Sequence, residues 1–303
     1  MYQKIERIPG GSRVPRPKSF VLRSAASSEG GGEELEYLTF PSLEETGMVR
    51  HLFTTRLGGV SREEFSTMNF SLERGDRREN VLENYERIAQ VLGCQVSDMV
   101  GSHQTHTTNI RRVGAGDRGK GILRERDYEN VDGLVTDESG LVLVTYFADC
   151  VPLFFVDPVH RAVGLAHSGW RGTLGRMGER MVETMGRCFG TRPEDLLAAV
   201  GPSICQACYE VSSEVAEQFT DMQGDEVPVP GRQAGKYQLD LWLANRLILE
   251  QAGLAREHIA VTDICTCHNS EYLFSHRATG GRRGAMGAFL MLESQTSERS
   301  SRM

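Results

Sequence analysis

The sequence predicts one α+β domain with mixed β-sheets and flanking helices, and three observations carry that expectation. Residues 140–150, GLVLVTYFADC, form an almost unbroken apolar run, as a strand buried on both faces requires. Residues 80–93, NVLENYERIAQVLG, set Val81, Leu82, Tyr85, Ile88, Val91 and Leu92 on one helical stripe that stops at Gly93, a C-cap signal. Strand-like and helix-like stretches otherwise follow one another without a steady βαβ alternation.

Taken in chain order, residues 1–37 mix Pro, Gly, Ser and basic side chains with little periodicity, as a flexible arm does. MVRHLFTTR (48–56) reads as a strand and LGGVS after it as a turn. Beyond the helix at 80–93 and the strand at 140–150, VGLA (163–166) is a short buried strand that stops at His167. Helices are expected at 174–189, 212–222 and 239–254, and late strands at 258–266 and 287–292. The tail 294–303 reads as disordered, so the domain is expected over 38–293, without internal repeats.

Composition narrows the function. A chain of 303 residues can bury a sizeable core, and 39% hydrophobic with 25% charged residues is ordinary for a globular protein. The net charge of −7 argues against a general nucleic-acid binder, which needs a basic face. No apolar run reaches the ~18 residues of a membrane span, and no hydrophobic segment opens the chain as a secretory signal would. Seven cysteines, an odd number over a long chain, read as reduced thiols in a cytoplasm.

Three motifs carry ligand chemistry: SHQTHTTNI with His103 and His106, YFADCVPL with Asp149 and Cys150, and AHSGWRGT with His167. Each donor stands at or beside a strand end, where loops gather over a rigid sheet. A thiolate and two imidazoles are zinc ligands, and three protein ligands leave a fourth position for water, whose pKa then falls to roughly 7. Taken singly, each residue is as well explained as a buried thiol or a hydrogen-bonded turn histidine. A rival set, Cys205, Cys208, Cys265, Cys267 and His268, forms C-x-x-C and C-x-C-H pieces that could close a structural zinc site. Its halves lie 57 residues apart, far more than in compact zinc ribbons, so a shared core or pocket wall is the preferred reading. Arginines flanked by glycines in TTRLGGVS, GWRGT and ATGGRRGAMG point to an anion pocket. No Walker-type loop or dinucleotide fingerprint opens a helix.

In order along residues 45–292, TTRLGGVS, GDRRENVLENYERIAQVLG, QTH, VDGLVTD, ADCVPL, AHSGWRGT, GPSICQACYEV and CTCHNSEYLFSHR resemble the polyphenol oxidase/laccase-domain family, whose members act as purine nucleoside phosphorylases with adenosine deaminase activity. The resemblance implies α/β/β/α layers, and a zinc held by His106, Cys150 and His167, so it selects His106 over His103. It also implies adenosine, inosine and methylthioadenosine as substrates, with phosphate as co-substrate. Where the family often has two adjacent cysteines, this chain has Ala207 and Cys208. On this reading Asp149, beside a ligand, is the candidate acid/base for deamination. Arg56 with the amides of Gly58 and Gly59 is the candidate phosphate cradle, and Asn69, Arg171 and Arg277 are further substrate or phosphate candidates. Trp170 is expected to pack structurally. Copper is the alternative metal, since His₂Cys suits it too. A multicopper laccase, however, needs about ten histidines, commonly in His-x-His pairs, and this chain has eight and no such pair. A non-catalytic metal-binding partner protein is the remaining alternative.

Overall fold

Alternate side chains of the long apolar strands go to different layers, which is why those strands are apolar at nearly every position. A computed structural model of the chain describes residues 20–25, 34–220, 222 and 226–294. In strand Val142–Phe147, Leu143 and Phe147 enter one hydrophobic cluster, and Val142 and Val144 enter another. In strand Val151–Asp157, Phe154 and Val156 join that first cluster, whereas Leu153 and Phe155 join a third. A strand covered on both faces has no solvated side.

The first cluster is the interface between two six-stranded mixed sheets. One sheet runs, in spatial order, Val21–Ala25, Leu35–Thr39, Val49–Thr54, Met286–Leu292, Val142–Phe147 and Met99–Gly101. The other runs Ile259–Val261, Leu197–Val200, Val151–Asp157, Ala162–Ser168, Gly133–Thr136 and Ile110–Arg112. Helix Arg78–Leu92 buries Val81, Tyr85, Ile88 and Leu92 against the outer face of the first sheet. Helices Met177–Phe189 and Leu241–Gln251 cover the outer face of the second. The result is helix, sheet, sheet, helix, the layering that the resemblance implies. A three-stranded sheet of Glu210–Ser212, Lys236–Leu239 and Pro228–Pro230 adds to one side.

Several elements depart from the sequence expectation. Helix 174–189 is two helices, Trp170–Leu174 and Met177–Phe189, broken where Arg176 takes φ 59°. The helix expected at 212–222 shrinks to Ser213–Ala216 and a 3₁₀ turn at Glu217–Phe219. Within the expected arm, Val21–Ala25 pairs antiparallel with Leu35–Thr39 as an edge strand. Its middle three residues are exposed, so it carries no apolar alternation to read. The rest of that arm before 34, apart from Phe20, and residues 295–303 of the tail lie outside the described residues. No helix among the described residues is long and apolar enough to cross a membrane.

The chain passes from one sheet to the other at residues 148–150, where Asp149 takes φ 90°. Strand Val151–Asp157 then pairs antiparallel with Ala162–Ser168, Val151 facing Ser168 and Pro152 facing His167. Extending that register by one residue brings Cys150 opposite Gly169. Two of the candidate ligands are therefore neighbours because of a hairpin register.

One core histidine makes stability depend on acid. His51 is 5% exposed, its ring stacks 5.4 Å from Phe40, and Nε2 accepts the Phe40 N–H at 2.8 Å. Burial pushes its pKa down to about 4. The unfolded chain thus binds a proton that the folded chain refuses, and stability is lost as pH falls from about 6.5 towards 4. The contribution amounts to roughly 2 kcal/mol between pH 7 and pH 5. Denaturant unfolding of His51→Gln should show lower stability at pH 7 and a shallower decline to pH 5. A decline parallel to wild type would remove His51 as the source.

Candidate active site

Asp132 has no exposed surface and collects five hydrogen bonds. Its carboxylate accepts the backbone N–H groups of Thr105, His106 and Thr107 at 3.1, 3.0 and 3.0 Å, and the Thr107 hydroxyl at 3.0 Å. The fifth donor is His167 Nδ1–H at 2.8 Å. Successive amides closing on one anion form a nest, and here the anion is the protein's own side chain. The nest holds His106 in the left-handed region at φ 64°, a conformation that a non-glycine residue adopts only at a cost. Burial alone would raise the Asp132 pKa; the bonds from His167 and the amides outweigh it and hold the group below the usual carboxylate range.

Bonding through Nδ1 fixes the His167 tautomer and leaves Nε2 for a ligand, the usual outer arrangement of a metal-bound histidine. Donor atoms of His106, Cys150 and His167 all lie within 4.8 Å of one another. The two imidazole planes cross at 79° with centroids 5.0 Å apart. Burial would keep Cys150 a neutral thiol, but His167 and a hydrogen bond from His106 pull its pKa well down. His167 moves the other way: burial is outweighed by the Cys150 thiolate and Asp132. Gly169 makes room, since a Cβ there would stand 2.8 Å from Cys150 Sγ and 3.3 Å from His106 Cδ2. Two imidazole nitrogens, a ready thiolate and the gap kept by Gly169 fit a zinc-type or copper-type ion with one open position.

The open side is a cavity of about 1070 Å³ lined by all three donors. Phe70, Gln104, Tyr146 and Phe147 form walls, and Arg74, Arg78, Arg124, Arg126 and Arg283 add positive charge alongside Glu73, Glu125 and Glu129. Gln104 fastens the histidine loop to a strand end: its Nε2 donates to Tyr146 O and its Oε1 accepts Tyr146 N–H, at 2.8 and 2.7 Å. Arg283 is the unusual wall residue. Burial and the nearby Arg74 charge lower its pKa to about 10, and its Nε is buried without a hydrogen-bond partner.

Of the other sequence candidates, His103 also lines the cavity but is not in the donor set, and the rest are not among the lining residues. His103 forms a bridge with Val131, and its Nδ1 accepts the Asn130 N–H. The Arg56 guanidinium donates to Ser66 O and Ser270 O and stacks 4.6 Å from the Phe274 ring, so it ties loops together away from the cavity wall. Asn69 is fully buried and bonds Ser71, Asp76 and Ala285. Asp149 accepts Thr266 Oγ1–H at 2.6 Å on one oxygen and Arg277 N–H at 2.7 Å on the other. Arg277 donates to Cys208 O and Glu210 O. Arg171 stacks on Trp170, itself packed against the helix-side core. Of the rival thiol set, Cys205, Cys208, Cys265 and His268 bring their donor atoms together, and Cys267 hydrogen-bonds to Cys208 beside them. Sequence reasoning missed Asp132 and Arg283, although both stand inside quoted motifs, VDGLVTD and ATGGRRGAMG.

Known proteins are similar to this chain over most of its length. Residues 50–293 fit the family model described as multi-copper polyphenol oxidoreductase laccase. Purine nucleoside phosphorylase YlmD of Bacillus subtilis (strain 168) is 39% identical over 243 residues, covering 78% of this chain and 86% of that protein. Adenosine deaminase RL5, from an unknown prokaryotic organism, is 36% identical over 255 residues, covering 83% and 96%. The crystal structure of YlmD from Geobacillus stearothermophilus superposes with a TM-score of 0.79 at 36% identity, covering 92% of this chain and 100% of that one. Matched over residues 50–293, the chain belongs to the polyphenol oxidoreductase/laccase-domain family.

Proposed function

We propose that the chain is a zinc-dependent, cytoplasmic purine nucleoside enzyme. It would cleave adenosine, inosine and methylthioadenosine with phosphate, and deaminate adenosine. One observation carries this reading: a His106–Cys150–His167 donor set opening into a cavity lined by a partly buried arginine, Arg283, whose Nη1 donates to Gly284 O and whose Nε has no hydrogen-bond partner. The names of the relatives direct it to purine nucleosides. Copper oxidation is the second reading, favoured by the family's description. Its need for many clustered imidazoles is poorly met, because His51, His103 and His160 are each engaged in hydrogen bonds of the fold.

When bound, the metal would supply Lewis acidity and an activated water. Everything else falls to the chain. In phosphorolysis a phosphate oxygen bonds to ribose C1′ as the bond to the purine breaks, and the purine leaves with a proton. Arg283, with Arg74 beside it, is the group suited to hold that phosphate: its buried Nε lacks a partner, and a guanidinium takes phosphate by paired, charge-assisted bonds. This moves the phosphate role from Arg56, whose donors already meet backbone carbonyls. In deamination water replaces the amine at adenine C6. Asp132 holds the His106 loop and the His167 ring for both reactions. Asp149 acts as a positioning residue for the bend that presents Cys150, because both of its oxygens already accept hydrogen bonds.

Asp132→Asn should weaken zinc affinity by about 10–100-fold, read by chelator competition, with the fold retained by circular dichroism. Unchanged affinity would remove Asp132 from the ligand scaffold. Arg283→Gln should raise the KM for phosphate about tenfold or more in ribose 1-phosphate formation, while inosine formation from adenosine falls far less. Equal losses in both reactions, or the selective loss appearing instead in Arg56→Gln, would return the phosphate site to the glycine-rich turn.

A further inference from the structure

Two loops far apart in sequence meet at a cluster of soft ligands outside the cavity. Ser203 and Cys265 pair as a parallel bridge, with Ser203 N–H donating to Ile264 O and Thr266 N–H to Ser203 O. That pairing sets the C-x-x-C turn at 205–208 against the segment 265–268. Donor atoms of Cys205, Cys208, Cys265 and His268 then lie within 4.8 Å of one another. His268 Nδ1 is 3.6 Å from Cys205 Sγ and 3.6 Å from Cys208 Sγ, and Nε2 is 3.4 Å from Cys208 Sγ, so the ring lies against the Cys208 sulfur and would turn to present one nitrogen to a metal. A tetrahedral zinc about 2.3 Å from sulfur and about 2.05 Å from nitrogen separates such donors by about 3.6 Å.

Burial and neighbouring thiols push the Cys208 and Cys265 thiols up, so it is a bound cation that would hold them as thiolates, and two amides are placed to help. Cys265 has no exposed surface, and its Sγ accepts the Cys205 N–H at 3.3 Å and the His268 N–H at 3.5 Å. Amides aimed at a ligating sulfur are the outer contacts that stabilise its charge. His268 is exposed and covers the outer side of the cluster, whereas Cys205 and Cys265 are buried beneath it.

We propose that Cys205, Cys208, Cys265 and His268 hold a second zinc ion, in a closed structural site distinct from the His106–Cys150–His167 centre. Three thiols lose their protons to solvent on binding, and neutral imidazole supplies the fourth donor. All four positions are filled by protein, so no water or substrate is activated there. The site ties together chain 57 residues apart, and both tied loops brace the Cys150 bend. Ile204 N–H donates to Asp149 O at 2.9 Å, and Thr266 Oγ1–H donates to the Asp149 carboxylate at 2.6 Å. The second ion would therefore stiffen the support of a ligand to the first.

Elemental analysis of the full chain, purified with zinc, is the test. Wild type should hold about two zinc ions per chain, and Cys150→Ala and Cys265→Ser about one each. Cobalt loaded into Cys150→Ala should give the strong sulfur-to-metal charge transfer and tetrahedral visible bands of a three-thiolate site. His268→Cys should keep the ion, and His268→Ala should release it to chelator at least about a hundredfold more readily. These two guard against mere misfolding of Cys265→Ser. A single zinc in wild type that vanishes in Cys150→Ala would overturn the proposal. So would absent charge transfer in the cobalt protein, or a disulfide among the three cysteines in place of metal.

Discussion

A carboxylate without access to water holds two distant segments in one geometry. Burying an ionised group is costly unless its lone pairs are met, and Asp132 meets that condition with three amides, a hydroxyl and an imidazole. Removing the carboxylate would leave the buried His167 ring N–H unsatisfied, at about 1–3 kcal/mol, and would release the loop amides beside it. The same contacts decide where His106 stands and which nitrogen of His167 is available. Stability and ligand geometry are thus set by one residue, so neither can drift without the other.

The second constraint is the crossing from sheet to sheet. Residues 148–150 leave one sheet and enter the other within three positions, and Asp149 is turned to φ 90°. Thr266, Arg277 and Ile204 fix that turn from three separate segments. A β-sandwich core of Phe53, Phe147, Phe154 and Leu290 keeps the sheets in register behind it. The donors consequently sit at the rim of a rigid double layer, and the cavity lies in front of them. Preorganisation of this kind lets a site act on a ligand without rearranging first.

Much of this was legible in the residues. The helix over 80–93 appears as Arg78–Leu92 because stripe and Gly93 cap agree, and Gly93 does take the left-handed conformation at φ 66°. The ligand types of His106, Cys150 and His167 stand out chemically in an apolar context. Asp132 does not, because a carboxylate in VDGLVTD acquires its role only when residues 105–107 fold across it. Arg56 illustrates the opposite difficulty: a guanidinium beside glycines reads the same whether it faces an anion or two carbonyls. The thiol set reads as a rival zinc site in the residues, and only its long sequence gap, which the Ser203–Cys265 bridge closes, favours a shared core or pocket wall instead. Strand Val21–Ala25 escaped notice since its pairing depends on backbone hydrogen bonds to Leu35–Thr39 rather than on buried side chains.

The central claim is that a metal triad organised by Asp132 makes this chain a purine nucleoside enzyme. Chromatographic product analysis of the zinc-loaded chain with adenosine, with and without phosphate, tests it most directly. The account predicts adenine and ribose 1-phosphate only when phosphate is present, inosine under both conditions, and neither product from Cys150→Ala. Intact adenosine in every sample with the zinc-loaded chain, or full turnover by Cys150→Ala, would contradict it.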